Sequence, residues 1–260
     1  MQDENPYAAP AAPVDDIAHS AAEGALMEGG RTVPSRNSWR WIVGGFNLYR
    51  RSPGAWTLVM IIGFLMVLLG LVLPLGQLAL VLLYPVFIAG LMLGCHAQAR
   101  GEPFEVAYLF AGFKNRFGQL VLLGLLLMLG AIAAVMVGSL ISGIGLFAAV
   151  AMSVSGALAL APLTLLLFFL VLLALLIPLQ LAMWFAPTLV VFHGVAPAEA
   201  MKQSFVGSLK NIVTFFVYSI IVMGLAFVAS IPVFVGWLVL APTLVGSMYY
   251  SYRDIFLNDE

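Results

Sequence analysis

The stretch FGQLVLLGLLLMLGAIAAVMVGSL, residues 117–140, decides the fold class of this chain. It opens a block, 117–197, that contains no Asp, Glu, Lys or Arg, and two further blocks, 52–98 and 211–252, share that property. An ionised side chain at the centre of a bilayer costs about 2.5–3.5 kcal/mol on insertion scales. Uncharged blocks of this length therefore predict an all-α polytopic transmembrane helical bundle.

The overall composition supports the same class. The chain is 63% hydrophobic and 9% charged, against about 45–50% and 25% in soluble domains. The net charge is −1, whereas nucleic-acid-binding proteins usually carry an excess of Lys and Arg. We therefore expect no nucleic-acid partner. Residues 1–37 are rich in Ala, Pro and Gly and carry six acids but no base before Arg31. This composition predicts a disordered acidic tail.

The number of spans depends on the long central block. Its apolar part, 117–192, is too long for two ordinary spans and short for four, since about 20 apolar residues cross the bilayer core. A segment inserted at about 138–178, with a bend at Gly143-Ile144-Gly145, gives six spans if it is re-entrant or interfacial, and eight if it forms an extra pair. Six are favoured because four spans in this block would leave almost no turns. The remaining runs each fit one span: 55–73, 78–97, 213–231 and 233–250.

An internal repeat organises these runs. Ala186-Pro187-Thr188-Leu189-Val190 recurs as Ala241-Pro242-Thr243-Leu244-Val245, with a looser copy at 84–88. Repeats of this length suggest duplication of one supersecondary unit. The predicted unit is a short amphipathic interfacial helix followed by a two-helix hairpin. The units cover about 38–98, 99–195 and 196–255, and 256–260 is a short tail.

The distribution of charge predicts the orientation. Every Lys and Arg falls before the first span, between the second and third, between the fourth and fifth, or after the last. The positive-inside rule makes the loaded side cytoplasmic, with both termini inside. Ser52, Asn115 and Asn211 precede the first spanning helix of each unit, and we expect them to cap those helices.

The three predicted interfacial helices, 38–51, 103–116 and 197–210, carry the strongest functional signal. Each combines apolar or aromatic side chains with basic ones, as an in-plane helix at an anionic leaflet does. Their basic residues can equally serve only to fix the orientation of the protein in the membrane. The candidates for contact with lipid headgroups are Arg50, Arg51, Lys114, Arg116, Lys202 and Lys210.

Proline recurs at matched positions of the units and marks candidate kinks or gates. Pro85, Pro187 and Pro242 are expected to kink their helices, and Thr188 and Thr243 can take up the carbonyls that the prolines leave free.

Signatures of catalysis are missing from the sequence. The apolar blocks contain no Asp for aspartyl proteolysis, and His19, His96 and His193 lie far apart without neighbours of ligand type. No Gly-rich phosphate loop occurs. Buried ionisable residues, which ion-coupled transport usually needs, do not occur in the apolar blocks either. We therefore expect no enzyme, no cofactor and no metal.

Three motifs carry a resemblance to a known group of proteins: Tyr49-Arg50-Arg51-Ser52-Pro53, Arg100-Gly101-Glu102-Pro103 and Phe110-Ala111-Gly112-Phe113-Lys114. Over about 36–255 the chain resembles bacterial inner-membrane proteins with six spans, akin to YciC-type proteins and to the membrane domain of some glycerophosphodiesterases. The resemblance implies the bacterial inner membrane and a link to lipids or the envelope, but no catalytic residues.

These observations lead to one main hypothesis and two alternatives. The main one is a non-enzymatic inner-membrane protein that binds or organises anionic lipids in envelope homeostasis. A transporter or channel for a small neutral or lipidic substrate is the second, and an intramembrane enzyme is the third. Protein partners and oligomeric state leave no signal in the sequence.

Overall fold

The computed structural model describes residues 25–151, 161–232 and 235–258. Within these ranges the regular elements are helices, apart from two strands of two residues each. The expectation of an all-α protein with helices long and apolar enough to span a membrane is confirmed. Five helical segments are long and apolar enough to cross a membrane: Pro53–Val72, Gly76–Ala99, Phe117–Ile144, Pro162–His193 and Ile212–Ser230.

The first part of the chain forms a short helix and a hairpin. Helix α1 spans Asn37–Arg51, α2 spans Pro53–Val72 and α3 spans Gly76–Ala99. Ser52 has a non-helical backbone and Pro53 occupies the first turn of α2, where its missing N–H costs nothing. The turn between α2 and α3 ends at Leu75, whose backbone is left-handed with a φ of 62°.

The middle part forms a much longer hairpin. A 3-10 helix, Val106–Phe113, leads to α4, Phe117–Ala151, followed by α5, Ala161–Trp184, and the short α6, Ala186–His193. The bend expected at 143–145 is wrong, because α4 remains helical through these residues. In lipid, backbone groups have no partners outside the helix, so two glycines do not interrupt it. The inserted residues lengthen the two helices, and 152–160 lie outside the described residues.

The last part again forms a short helix and two longer ones. Helix α7 spans Pro197–Lys210, α8 spans Ile212–Ser230 and α9 spans Trp237–Phe256. Helix α9 is not among the five apolar segments. Its final turns carry tyrosines together with Arg253 and Asp254, which lower its mean hydropathy.

Helix α1 was expected to lie in the membrane interface, but it packs along α9 more extensively than any other two described elements pack. A Cβ on Gly45 would lie 2.1 Å from the Thr243 carbonyl oxygen, and one on Gly246 would lie 2.7 Å from Gly45 Cα. The two backbones therefore touch at these glycines. On the same helix Trp41 is 2% exposed and packs against Phe215.

Close packing also places the 3-10 helix against α3. A Cβ on Gly90 would meet the Tyr108 carbonyl oxygen at 2.4 Å, and one on Gly112 would meet the Val86 carbonyl oxygen at 2.0 Å. Phe104, just before the 3-10 helix, stacks on Trp56 with ring centroids 3.9 Å apart. The aromatic side chains of this segment are thus divided between the protein interior and the surface.

The expected side-chain caps are not formed. Ser52 and Asn211 stand at the N-terminal ends of α2 and α8 without a capping hydrogen bond. The Ser52 hydroxyl accepts a hydrogen bond from Gln98 Nε2 at 3.2 Å. Asn115 Nδ2 donates back to the Ala111 carbonyl at 2.8 Å. Ser52 thus joins the start of α2 to the end of α3, whereas the Asn115 bond is local.

Residues 25–36, assigned from composition to the disordered tail, are packed on the bundle. Strand β1, Ala25–Leu26, pairs antiparallel with β2, Leu257–Asn258. Further along, Val33 is buried and its N–H donates to Asn211 Oδ1 at 2.8 Å. The tail assignment is wrong for this part, because partners far away in the sequence supply the hydrogen bonds. Residues 1–24 lie outside the described residues.

Candidate functional site

A polar cavity of about 210 Å³ lies where the C-terminal ends of α3 and α9 meet. This volume is several times the roughly 30 Å³ share of one water molecule. The cavity belongs to the end of the bundle that carries the Lys and Arg residues. Its lining is His96, Ala99, Arg100, Tyr249, Tyr252, Arg253 and Leu257.

Helical spacing explains why these side chains converge. His96 and Arg100 are four residues apart at the end of α3, and Tyr249 and Arg253 are four apart at the end of α9. Residues at this spacing share one helix face. Arginines in the last turn also face the partial negative charge of a helix C-terminus, which favours them there.

Hydrogen bonds and ring contacts fix the walls of the cavity. His96 Nδ1 lies 3.0 Å from the Tyr249 hydroxyl, and the Tyr249 side chain is buried. Tyr252 forms a short hydrogen bond with His193 Nε2 and stacks on Phe192. The phenols are therefore held in place before any ligand arrives.

The chemistry of the lining favours an anion. Arg100 and Arg253 are donors only, with up to five N–H groups each, and no carboxylate lines the cavity. Glu102 pairs with Arg100 Nη2 at 2.7 Å, which leaves further donors on that guanidinium. Asp254, next to Arg253, is engaged instead by Asn37 and by the Trp41 indole.

The six predicted headgroup residues do not form one site. They lie on three segments with different main packing partners, since α1 packs on α9, the 3-10 helix on α3 and α7 on α5. Two of them bind backbone carbonyls: Arg51 donates to Gln98 and Lys210 donates to Gly30, both at 2.9 Å. These two residues stabilise the fold by holding neighbouring segments.

Of the other predicted headgroup residues, Arg50, Lys114 and Lys202 are exposed and Arg116 is half-buried. Arg50 lies over the Phe46 ring, 5.8 Å from its centroid, and Lys202 pairs with Glu199 at 3.3 Å. Lys114 is exposed at the end of the 3-10 helix. Arg116 has a left-handed backbone, φ 53°, and its guanidinium lies against Gly194.

The predicted kink residues differ from one another in the structure. Pro85 and Pro242 lie inside α3 and α9. Thr243 donates to the Val239 carbonyl at 2.7 Å, one residue past the carbonyl that Pro242 leaves free. The expected role of Thr188 is wrong, because its buried hydroxyl makes no hydrogen bond to the described residues.

Pro187 does not kink a helix interior but begins a new helix. The helix is interrupted at Phe185, because the Ser204 side chain of α7 is inserted between two backbone groups that would otherwise bind each other. The Phe185 N–H donates to Ser204 Oγ at 2.9 Å, and that hydroxyl donates to the Leu181 carbonyl at 2.8 Å. Insertion of a side chain between a carbonyl and the N–H four residues on is a recognised cause of helix breaks.

Two apolar cavities that open to the surface of the bundle lie between its helices. One of about 350 Å³ lies among α2, α3 and α9, with Met60, Leu91 and Val245 in its lining. Another of about 550 Å³ lies among α1, α8 and α9, with Val43 and Leu240 in its lining. Val245 precedes Tyr249 by one turn of α9, so the first of these cavities lies next to the polar one along that helix.

Sequence reasoning passed over the polar cavity. His96 was considered there only as a histidine without neighbours of ligand type, and Arg253 only as part of the charge pattern. A signal was nevertheless present, since His96 and Arg100 at the end of α3, and Tyr249 and Arg253 at the end of α9, are each four residues apart. What could not be inferred is that the ends of α3 and α9 meet.

Comparison with protein-family models, with curated proteins and with solved structures finds no match for this chain. The described residues include no group of three or more His, Cys, Asp or Glu side chains placed to hold a metal ion.

Proposed function

We propose that this chain is a non-enzymatic, multi-pass protein of the bacterial inner membrane that binds anionic phospholipids. Six spans, with α9 as the sixth, would place both termini and the polar cavity on the cytoplasmic side. The absence of Lys and Arg from the α2–α3 turn and from 231–236 supports this orientation. The order of short helix and hairpin, met three times along the chain, fits duplication of one unit.

The observation that carries the proposal is the polar cavity. It offers two guanidinium groups and two phenols without a lining carboxylate, at the level where an apolar bundle meets the headgroups. A phosphodiester presents charged oxygens to such donors, and hydrogen bonds from arginine to phosphate are among the strong ones. A free anion would use the same donors, and the experiment below separates the two ligands.

The neighbouring apolar cavity supports a lipid as the ligand. Met60, Phe64 and Leu91 line it together with other almost entirely apolar side chains, as an acyl chain requires. A lipid could therefore place its headgroup between the arginines and a chain beside α2. The apolar lining of this cavity and of the one among α1, α8 and α9 offers no path for a hydrophilic solute, which argues against a transporter of polar substrates.

The test compares cavity arginines with surface cations. The double variant R100Q/R253Q is purified in mild detergent, and copurifying phosphatidylglycerol and cardiolipin are quantified by mass spectrometry. The triple variant R50Q/K114Q/K202Q is the control, since it removes more positive charge from outside the cavity. Thermal unfolding establishes that both variants are folded.

We expect the cavity variant to lose most of its anionic lipid, by about fivefold or more, because each arginine near an anionic group contributes about 1 kcal/mol. The surface variant should lose much less. Equal losses of lipid in both variants would mean that binding depends on the total positive charge and not on the cavity. Unchanged lipid content in both variants would exclude the proposed function. Inorganic phosphate that displaces the lipid at millimolar concentration would instead identify a free anion as the ligand.

A further inference from the structure

The N-terminal segment enters the fold at the rim of the polar cavity. Leu26 of β1 pairs with Leu257 of β2, and Leu257 lines the cavity. The Met27 N–H donates to the Phe256 carbonyl, and the Arg31 N–H to the Ile255 carbonyl, both at 2.8 Å. The described chain therefore begins at Ala25, one residue before Leu26, whose strand partner Leu257 lines the cavity.

Several contacts hold this entry point in place. Arg31 Nε donates to the Asp254 carbonyl at 2.7 Å, and its Nη2 lies 3.6 Å from the carboxylate of the same residue. Gly30 has a left-handed backbone, and a Cβ there would lie 2.7 Å from the Ile255 side chain. Lys210 binds the Gly30 carbonyl. The tether point is thus part of the folded bundle.

The charge of the tethered segment is opposite to that of the cavity. The 24 residues before Ala25 contain five acids and no Lys or Arg: Asp3, Glu4, Asp15, Asp16 and Glu23. The cavity contains Arg100 and Arg253 and no lining carboxylate.

The acids are also within reach of the cavity. Glu23 precedes Leu26 by three residues, a span of at most about 10 Å, and Asp15 and Asp16 can reach about 35 Å from it. A ligand covalently linked to the protein by a short segment can be present at millimolar effective concentration.

We propose that acidic side chains of residues 1–24 occupy the polar cavity and compete there with the anionic lipid headgroup. The inference rests on the proposed function, since it assigns the same cavity a tethered competitor. Carboxylates make the same charge-assisted hydrogen bonds to guanidinium groups as phosphates do. The segment then sets the affinity for lipid, and anything that draws it away exposes the site.

Binding measurements test the competition directly. The full-length variant D3N/E4Q/D15N/D16N/E23Q keeps the length of the segment and removes its charge. Dihexanoyl phosphatidylglycerol is titrated into each protein in a neutral detergent, with dihexanoyl phosphatidylcholine as the uncharged probe. E105Q/E199Q, which neutralises acids outside the segment, is the control for net charge.

We expect the neutralised segment to raise the affinity for phosphatidylglycerol by about threefold or more, with little change in E105Q/E199Q or with phosphatidylcholine. Adding R100Q/R253Q to the neutralised variant should remove the gain. Unchanged affinity in the neutralised variant overturns the competition. If R100Q/R253Q still weakens binding in that case, the lipid function stands. If no variant changes binding, both proposals fall.

Proximity provides a second measurement. A protein carrying E23C and A99C should form an intramolecular crosslink with a short bis-maleimide in the absence of lipid, and phosphatidylglycerol should suppress it. E23C combined with K202C is the matched control. Two results would overturn the placement of the segment in the cavity. One is that the E23C/A99C protein forms no crosslink, and the other is that phosphatidylglycerol does not reduce its crosslinking.

Discussion

Asp254 joins three separate parts of the chain through one side chain. Its Oδ2 accepts hydrogen bonds from Asn37 Nδ2 at 2.7 Å and from Trp41 Nε1 at 2.8 Å. Arg31 pairs with the other oxygen and also binds the backbone carbonyl of Asp254. A single carboxylate therefore connects the N-terminal segment, α1 and the end of α9.

We predict that D254A destabilises the protein by about 1–3 kcal/mol for each buried donor left without a partner. D254N should cost less, because it keeps one acceptor oxygen. The measurement is thermal unfolding in detergent. E199A is the control, since the exposed pair of Glu199 with Lys202 contributes at most about 1 kcal/mol. Equal unfolding of D254A and E199A would contradict the role given to Asp254.

Ser204 shows how one hydroxyl can end a helix. It satisfies both the Phe185 N–H and the Leu181 carbonyl, which would otherwise bind each other. We predict that S204A lowers the unfolding temperature, because the Phe185 N–H loses its partner in an apolar environment and the Leu181 carbonyl keeps only the longer bond from Ser208, at 3.3 Å. S204C, which retains a weak donor, should lie between S204A and the wild type. The exposed S219A, whose hydroxyl binds only its own helix, should be tolerated. No difference between S204A and S219A would refute the insertion as a stabilising contact.

The contact of α1 with α9 depends on glycines. A Cβ on Gly45 would overlap the Thr243 carbonyl and the Ser247 amide nitrogen, so we predict that G45A separates the two helices and strongly destabilises the protein. G224A in α8, where a Cβ would meet nothing within 4 Å, should be neutral or slightly stabilising, since Ala favours helices over Gly by up to about 1 kcal/mol. Folded yield and unfolding temperature in detergent measure both. A stable G45A protein would mean that α1 is not held at this distance.

Helices were easier to predict than the contacts between them. The bounds of α2, α3 and α8 follow from uncharged runs, because hydropathy depends only on local composition. The role of Asn211 could not be foreseen, since its partner Arg31 is 180 residues away. The same holds for the polar cavity, which exists only where the ends of α3 and α9 meet. Aromatic and basic residues of α1 resembled those of an interfacial helix, and only the contact with α9 shows that Trp41 is buried.

Across the whole molecule, the turns at opposite ends of the hairpins should label from opposite sides of the membrane. We predict that a cysteine replacing Gln77 or Pro232 reacts with an impermeant maleimide from the periplasmic side, and one replacing Gly101 or Val195 only after permeabilisation. The native Cys95 is buried, so the unmodified chain measures the background. Cytoplasmic labelling at Gln77 or Pro232 would reverse the proposed orientation.

The length of α4 has a consequence for the surrounding membrane. Its 35 residues extend about 52 Å, whereas the hydrocarbon core is about 30 Å thick, and α2 has only 20 residues. Fitting α4 by tilt alone would need about 55°, beyond the usual 0–40°. Its far end cannot simply enter water, because Ile144 and Phe147 are exposed there. The protein should therefore thicken the bilayer on one side only, and reconstitution into lipids with 20-carbon chains should stabilise it more than 14-carbon chains do.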